Sequence, residues 1–126
     1  MTQKMNVCAN SIIAKGKNDM HEQIIKFINE FSKFGPEVVD CFTNGNCYWF
    51  AHILYNRFFR DDYEGDICYD QVENHFCYYS KGRYYDITGE ITDPKYHWES
   101  FARVIRNDPA LAKRLERDCI LKEPRD

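Results

Sequence analysis

The spacing of hydrophobic residues changes near residue 66, and this change limits the folds available to the chain. Before it, apolar residues recur at i, i+3, i+4, i+7 and i+11 from Cys47, which predicts a helix from Cys47 to about Arg60. After it, the period becomes two and β-forming residues dominate, which predicts strands at 66–70, 75–80 and 83–88. A helix followed by an antiparallel meander favours an α+β fold.

Further helices are predicted on both sides of this region. The first runs from about 20 to 33, where an apolar stripe at helical spacing is followed by the stop signal Gly35-Pro36. Another begins near Lys95 and restarts at Asp108-Pro109, where Asp suits the N-cap and Pro the first helical position. A chain of 126 residues has room for one core. We therefore expect one α+β domain spanning 1–126, with N-terminal helices packed on a small antiparallel sheet and a C-terminal helix.

Charge and composition exclude several classes of protein. The net charge is −3, and the 17 basic and 20 acidic side chains are interspersed, so no basic stripe could neutralise a run of nucleic-acid phosphates. The sequence contains no apolar run of about 18 residues, which is the length that a membrane-spanning helix needs. The sequence shows no recognisable secretion signal, so its six cysteines are expected to be reduced and the protein to be cytoplasmic.

Cys47 is placed where a cysteine can be activated. It begins the second predicted helix, and the unpaired N–H groups and dipole of a helix N-terminus favour a thiolate. The preceding turn contains Asn44 and Asn46, whose amides could donate to a developing oxyanion. Cys47 is also the first member of the apolar stripe of its helix, so a buried cysteine without function is the alternative.

His75 and Asp86 are predicted to meet on one face of the sheet. If Ser80 pairs with Arg83 across a tight turn, the register makes Asp86 the diagonal neighbour of His75. A carboxylate there can bind one ring nitrogen and leave the other free to act as a base. The alternatives are a histidine bonded to backbone and an aspartate that caps the following turn.

Three short segments resemble the core of small papain-like cysteine peptidases. They are Asn-Gly-Asn-Cys-Tyr-Trp-Phe-Ala at 44–51, Asn-His-Phe-Cys-Tyr-Tyr at 74–79 and Tyr-Tyr-Asp-Ile-Thr-Gly at 84–89. The resemblance implies a papain-like core in which Cys47 is the nucleophile, His75 the general base and Asp86 its orienter. The glutamine that donates to the oxyanion in papain has no counterpart here. Asn44 or Asn46 is the substitute that the resemblance implies.

These residues predict a cysteine-dependent hydrolase or acyltransferase that acts on an amide, isopeptide or ester bond. Its substrate or partner would be a protein or peptide, and the chemistry needs no cofactor. The rival is a non-catalytic protein-binding or inhibitor module on the same fold. Its aromatic surface could comprise Tyr69, Tyr78, Tyr79, Tyr84, Tyr85 and Trp98. The alternative is that most of these aromatics belong to the core of the sheet. The sequence leaves the oligomeric state open.

A metal centre is a weaker alternative. His75 and Cys77 lie two residues apart on one strand, and Cys68 lies on the predicted neighbouring strand. No CxxC or HxxxH pair anchors this group, as most zinc sites require. No metal site is therefore predicted.

Overall fold

A computed structural model describes residues 18–43 and 45–120 of the chain. These residues form five α-helices, five strands and a final π-helical turn, so the α+β fold class is confirmed. The elements are α1 (Asn18–Ser32), α2 (Pro36–Thr43), α3 (Cys47–Phe58), β1 (Asp66–Asp70), β2 (His75–Ser80), β3 (Arg83–Asp86), β4 (Gly89–Ile91), β5 (Glu99–Ser100), α4 (Phe101–Asn107), α5 (Pro109–Leu115) and the π-helical turn Glu116–Ile120. None of the helices in this part of the chain is long and apolar enough to cross a membrane.

The strands form one antiparallel sheet in the order β4-β3-β2-β1-β5. Ser80 pairs with Arg83 across the β2–β3 turn, so the predicted register is confirmed. The two turn residues, Lys81 and Gly82, both have positive φ, as a two-residue hairpin turn requires. This register fixes which side chains of β2 and β3 share a face.

The hydrophobic core lies between the helices and one face of the sheet. Helix α3 lies at the centre of this core, because the buried residues of the helix belong to both of the hydrophobic clusters that form the core. The first cluster contains Met20, Ile24, Ile28, Phe50, Leu54, Phe58, Tyr78, Tyr85 and Ile87. The second contains Ala51, Tyr69, Phe76, Phe101, Val104 and Leu115. Burying both clusters fixes α3 against β2 and so sets the position of its first residue.

The opposite face of the sheet is covered by the irregular segment 92–98. Asp70, which is buried, accepts hydrogen bonds from the backbone N–H groups of His97 (2.6 Å) and Glu73 (2.7 Å). Trp98 stacks on Tyr84 with ring centroids 5.6 Å apart. No disulfide joins the cysteines within the described ranges.

Two connections differ from the sequence prediction. Helix α2 was not predicted, because it is short and buries none of its residues, which leaves only a weak periodic pattern. The strand predicted at 83–88 ends at Asp86 instead. The Asp86 carboxylate accepts from Thr88 N at 2.8 Å, and Gly89 adopts a φ of 115°, so the chain turns into β4.

The predicted start of the next helix, near Lys95, is earlier than the observed one. Residues 99–100 form β5 and pair with β1, so α4 begins only at Phe101. The predicted restart is confirmed, because Asp108 caps α5 through a bond from Leu111 N to its carboxylate (3.1 Å).

Gly65 leaves no room for a side chain. The buried Tyr78 hydroxyl donates to Asp62 Oδ2 (2.5 Å), and a Cβ on Gly65 would overlap that hydroxyl and lie 3.0 Å from the backbone oxygen of Asp62. We expect Gly65→Ala to lower the free energy of unfolding by about 1 to 2 kcal/mol, measured by urea denaturation. The loss should shrink in a Tyr78→Phe background, and an equal loss in both backgrounds would contradict the steric cause.

Candidate active site

The structure brings Cys47 and His75 to the same cleft. Cys47 is the first residue of α3 and His75 the first residue of β2, and both line a cleft of about 350 Å³. Packing of α3 on β2 produces this proximity, since the two residues are far apart in sequence. Cys47 is only half-buried, so its position in the apolar stripe does not remove it from solvent.

Asp86 binds His75 and also closes the next turn. His75 Nε2 donates to Asp86 Oδ2 at 2.8 Å, and the two side chains are 15% and 14% exposed. The other carboxylate oxygen accepts from the backbone N–H (2.8 Å) and the hydroxyl (2.5 Å) of Thr88. Burial alone would raise the pKa of Asp86, but these hydrogen bonds hold it below its ordinary value. Asp86 therefore bonds to His75 and closes the following turn at the same time.

The sulfur of Cys47 is the other neighbour of the His75 ring in the cleft. Burial alone would lower the pKa of His75, but the hydrogen bond with Asp86 and the neighbouring Cys47 outweigh it and raise the pKa to about 9. Because Asp86 occupies Nε2, Nδ1 is the ring nitrogen left for Cys47. At neutral pH the ring is therefore a cation between a carboxylate and a sulfur.

An aromatic wall shields this pair. The ring centroids of Tyr96 and Trp98 lie 5.7 Å and 5.9 Å from that of His75, and the two aromatic rings stack at 4.6 Å. Aromatic faces attract a neighbouring cation, and their bulk keeps water from the His75–Asp86 hydrogen bond. Sequence reasoning missed Tyr96 and assigned Trp98 to a helix. The hydrogen bond from His97 N to Asp70 holds this segment in place.

The asparagines predicted to hold an oxyanion are placed differently. Asn46 is buried, and its Nδ2 donates to the Cys41 carbonyl (3.2 Å) in α2. It makes no side-chain capping bond to α3 and is not among the residues that line the cleft, so in the structure its amide holds the loop before α3. Asn44 lies outside the described residues. The oxyanion role of the two asparagines stays a prediction, and the backbone N–H of Cys47 is a further candidate donor beside the sulfur.

The buried cysteines suit a structural role. Cys68 and Cys77 pair directly across β1 and β2, and both are buried. Burial, together with the neighbouring sulfur of Cys68, raises the pKa of Cys77 well above its ordinary value, so it remains a thiol. Within residues 18–43 and 45–120, no group of three or more His, Cys, Asp or Glu side chains could hold a metal ion. This includes the alternative cluster of Cys68, His75 and Cys77.

The aromatic surface of the rival hypothesis is only half present. Three of its members are in the core and at most 1% exposed: Tyr69, Tyr78 and Tyr85. The prediction that these three tyrosines belong to an exposed surface is wrong. Alternate residues of each strand face the helices, and these tyrosines are on that face. Tyr79, Tyr84 and Trp98 lie on the opposite face and are half-buried.

A family match covers this whole arrangement. The model of a family described as phage YunG-like protein matches residues 24–115. The chain belongs to the phage YunG-like family. No curated protein and no solved structure matches it. The part shared with the phage YunG-like family contains Cys47, His75 and Asp86, and the cleft geometry is the basis for any assignment of chemistry.

Proposed function

We propose that this phage YunG-like protein is a cysteine-dependent hydrolase or acyltransferase that acts on an amide, isopeptide or ester bond. One observation carries the proposal. His75 bonds to Asp86 through Nε2, and its other ring nitrogen is left for Cys47, which begins a helix and lines the same cleft as His75. A nucleophile, a base and an orienting carboxylate in this order are the parts that thiol-dependent acyl transfer needs.

In the proposed first step, Cys47 reacts as a thiolate beside the His75 cation, whose Nδ1 already carries a proton. The thiolate attacks the substrate carbonyl carbon, and the carbonyl π electrons move to oxygen to give a tetrahedral oxyanion. The N–H of Cys47 donates to this oxyanion, and the helix dipole stabilises its charge. The intermediate collapses, His75 gives its proton to the leaving amine or alcohol, and an acyl thioester remains on Cys47.

In the proposed second step, a water molecule or an acceptor amine attacks the thioester. His75, now neutral at Nδ1, takes the proton of the attacking group, and the sulfur departs as a thiolate beside the restored His75 cation. Asp86 keeps Nε2 protonated throughout, so Nδ1 is the nitrogen that exchanges the proton. Water gives hydrolysis and an amine gives acyl transfer, and both regenerate Cys47.

The order of elements supports a papain-like core as part of this proposal. The nucleophile begins a helix, and the histidine and its carboxylate follow on adjacent antiparallel strands. That helix packs on β2, and its first residue lines the same cleft as His75, the first residue of β2. The proposed substrate is a protein or peptide, and no cofactor enters either step.

Alkylation of individual cysteines tests the proposal. We expect iodoacetamide at pH 6 to modify Cys47 at least about tenfold faster than Cys41, because an ordinary thiol has a pKa of about 8.5 and is mostly protonated at that pH. His75→Gln should remove most of this advantage, since the cation beside the sulfur is lost. Mass spectrometry of the digested protein reads each cysteine separately, and Cys41, also half-buried, is the internal reference.

His97→Gln is the matched control, because His97 is exposed and its side chain lies outside the cleft. If Cys47 reacts no faster than Cys41 in the wild type, or if both histidine variants lower its rate equally, the enzyme proposal fails. The binding or inhibitor hypothesis would then be preferred, because a binding module has no need of an activated thiol.

A further inference from the structure

Arg114 lies in the same cleft as the candidate nucleophile. It is in the last turn of α5 and lines the cleft together with Cys47 and His75. The proposed mechanism gives it no role. A guanidinium beside a reactive thiol would attract or repel any charged substrate that enters the cleft. Its effect depends on the side chains around it and on whether a carboxylate neutralises its charge.

A buried phenol lies next to Arg114 and to the strand that carries His75. The Tyr69 hydroxyl donates to Asn74 Oδ1 at 2.7 Å, and the nearby positive charge of Arg114 favours the ionised form of the same phenol. Tyr69 is completely buried, and Asn74 lines the cleft directly before His75. Arg114 therefore lines the cleft at the strand end that carries the proposed base. Its guanidinium has five N–H donors that a ligand in the cleft could accept from.

The acidic side chains of the cleft are paired with other bases. Glu73 lies 3.7 Å from Lys95, and Asp118 lies 2.9 Å from Arg117. Among the residues that the structure describes, no carboxylate lies within 4.0 Å of Arg114. Arg114 is therefore the cleft cation whose charge no described ion pair compensates.

We propose that Arg114 binds a carboxylate of the substrate, so that the preferred acyl substrates carry a free carboxylate close to the scissile bond. This inference rests on the proposed function, because it places the carboxylate site beside Cys47. A guanidinium binds a carboxylate through two parallel hydrogen bonds, which fix orientation as well as charge. Arg114 is on this account a specificity residue, and it takes no part in the transfer of protons.

Two alkylating agents of nearly equal size test the site. Iodoacetate carries a carboxylate and iodoacetamide carries a neutral amide in the same place. We expect the ratio of their rates at Cys47, iodoacetate over iodoacetamide, to fall about tenfold in Arg114→Gln at pH 7. Arg117 is exposed, as Arg114 is, but it does not line the cleft, and Arg117→Gln should leave the ratio within about twofold of the wild type.

Protection by succinate provides an independent measurement. Succinate should slow the iodoacetamide reaction of Cys47 in the wild type and in Arg117→Gln, and should give no protection in Arg114→Gln. An unchanged rate ratio in Arg114→Gln, or an equal fall in both arginine variants, would overturn the carboxylate site. Failure of the proposed function is a separate result, since Cys47 would then react with iodoacetamide no faster than Cys41.

Discussion

Cys47→Ala is expected to slow acylation of the protein by p-nitrophenyl acetate about 10³-fold. On the proposed mechanism, the Cys47 thiolate of the wild type attacks the ester carbonyl, p-nitrophenolate departs and an acetyl thioester remains. A burst of one p-nitrophenolate per protein molecule should precede any slower turnover. Without the sulfur, only weak general reactivity of the remaining side chains is left. Stopped-flow absorbance measures the burst, and mass spectrometry locates the acetyl group.

Cys119→Ala is the matched control, because Cys119 lines the same cleft in the π-helical turn. This variant removes a sulfur of the same cleft and should keep the burst at Cys47. Loss of the burst in both variants, or acetylation of Cys119 in the wild type, would show that Cys47 is not the nucleophile. Thermal unfolding followed by circular dichroism checks that each variant is folded.

The sequence was most informative where pattern and tertiary contact agree. Helix α3 and strands β1 and β2 were predicted with their first residues correct, because each has a strong apolar period that also faces the core. Segment 95–98 shows the reverse. Its aromatic spacing fits a helix, but Trp98 packs on Tyr84 and the next residues pair with β1, so tertiary contact overrides the local pattern.

The part of the candidate site that could be predicted is the His75–Asp86 pair, because it depends on the register between β2 and β3. The Ser80–Arg83 pairing follows from turn chemistry, and it places Asp86 within bonding distance of His75. The aromatic wall was not predictable, because Tyr96 reaches His75 only through an irregular segment held by a buried carboxylate. Arg114 was missed for a similar reason. It comes from a helix far along the chain and reaches the cleft through packing, which no local pattern records.

The stability of the folded protein should depend on pH through His75. Its pKa is about 9 in the folded protein and near 6.5 when unperturbed, so the folded state keeps a proton that the unfolded chain loses. The stabilisation is complete below pH 6.5 and is lost as the pH rises through 9. This difference corresponds to about 3 kcal/mol. Because the pair is partly exposed and water screens its charge, we expect about 2 to 3 kcal/mol.

Urea denaturation of the wild type and His75→Gln at pH values from 6 to 9.5 measures this loss. The buried Cys77 also destabilises the fold at high pH, because its thiol ionises more easily in the unfolded chain. That contribution is common to both proteins and cancels in their difference, which isolates His75. In a Cys47→Ala background the pH-dependent difference should decrease but persist, since Asp86 still binds the ring. Parallel stability curves for wild type and His75→Gln would mean that His75 is not a cation in the folded protein, and the thiolate–imidazolium pair would have to be abandoned.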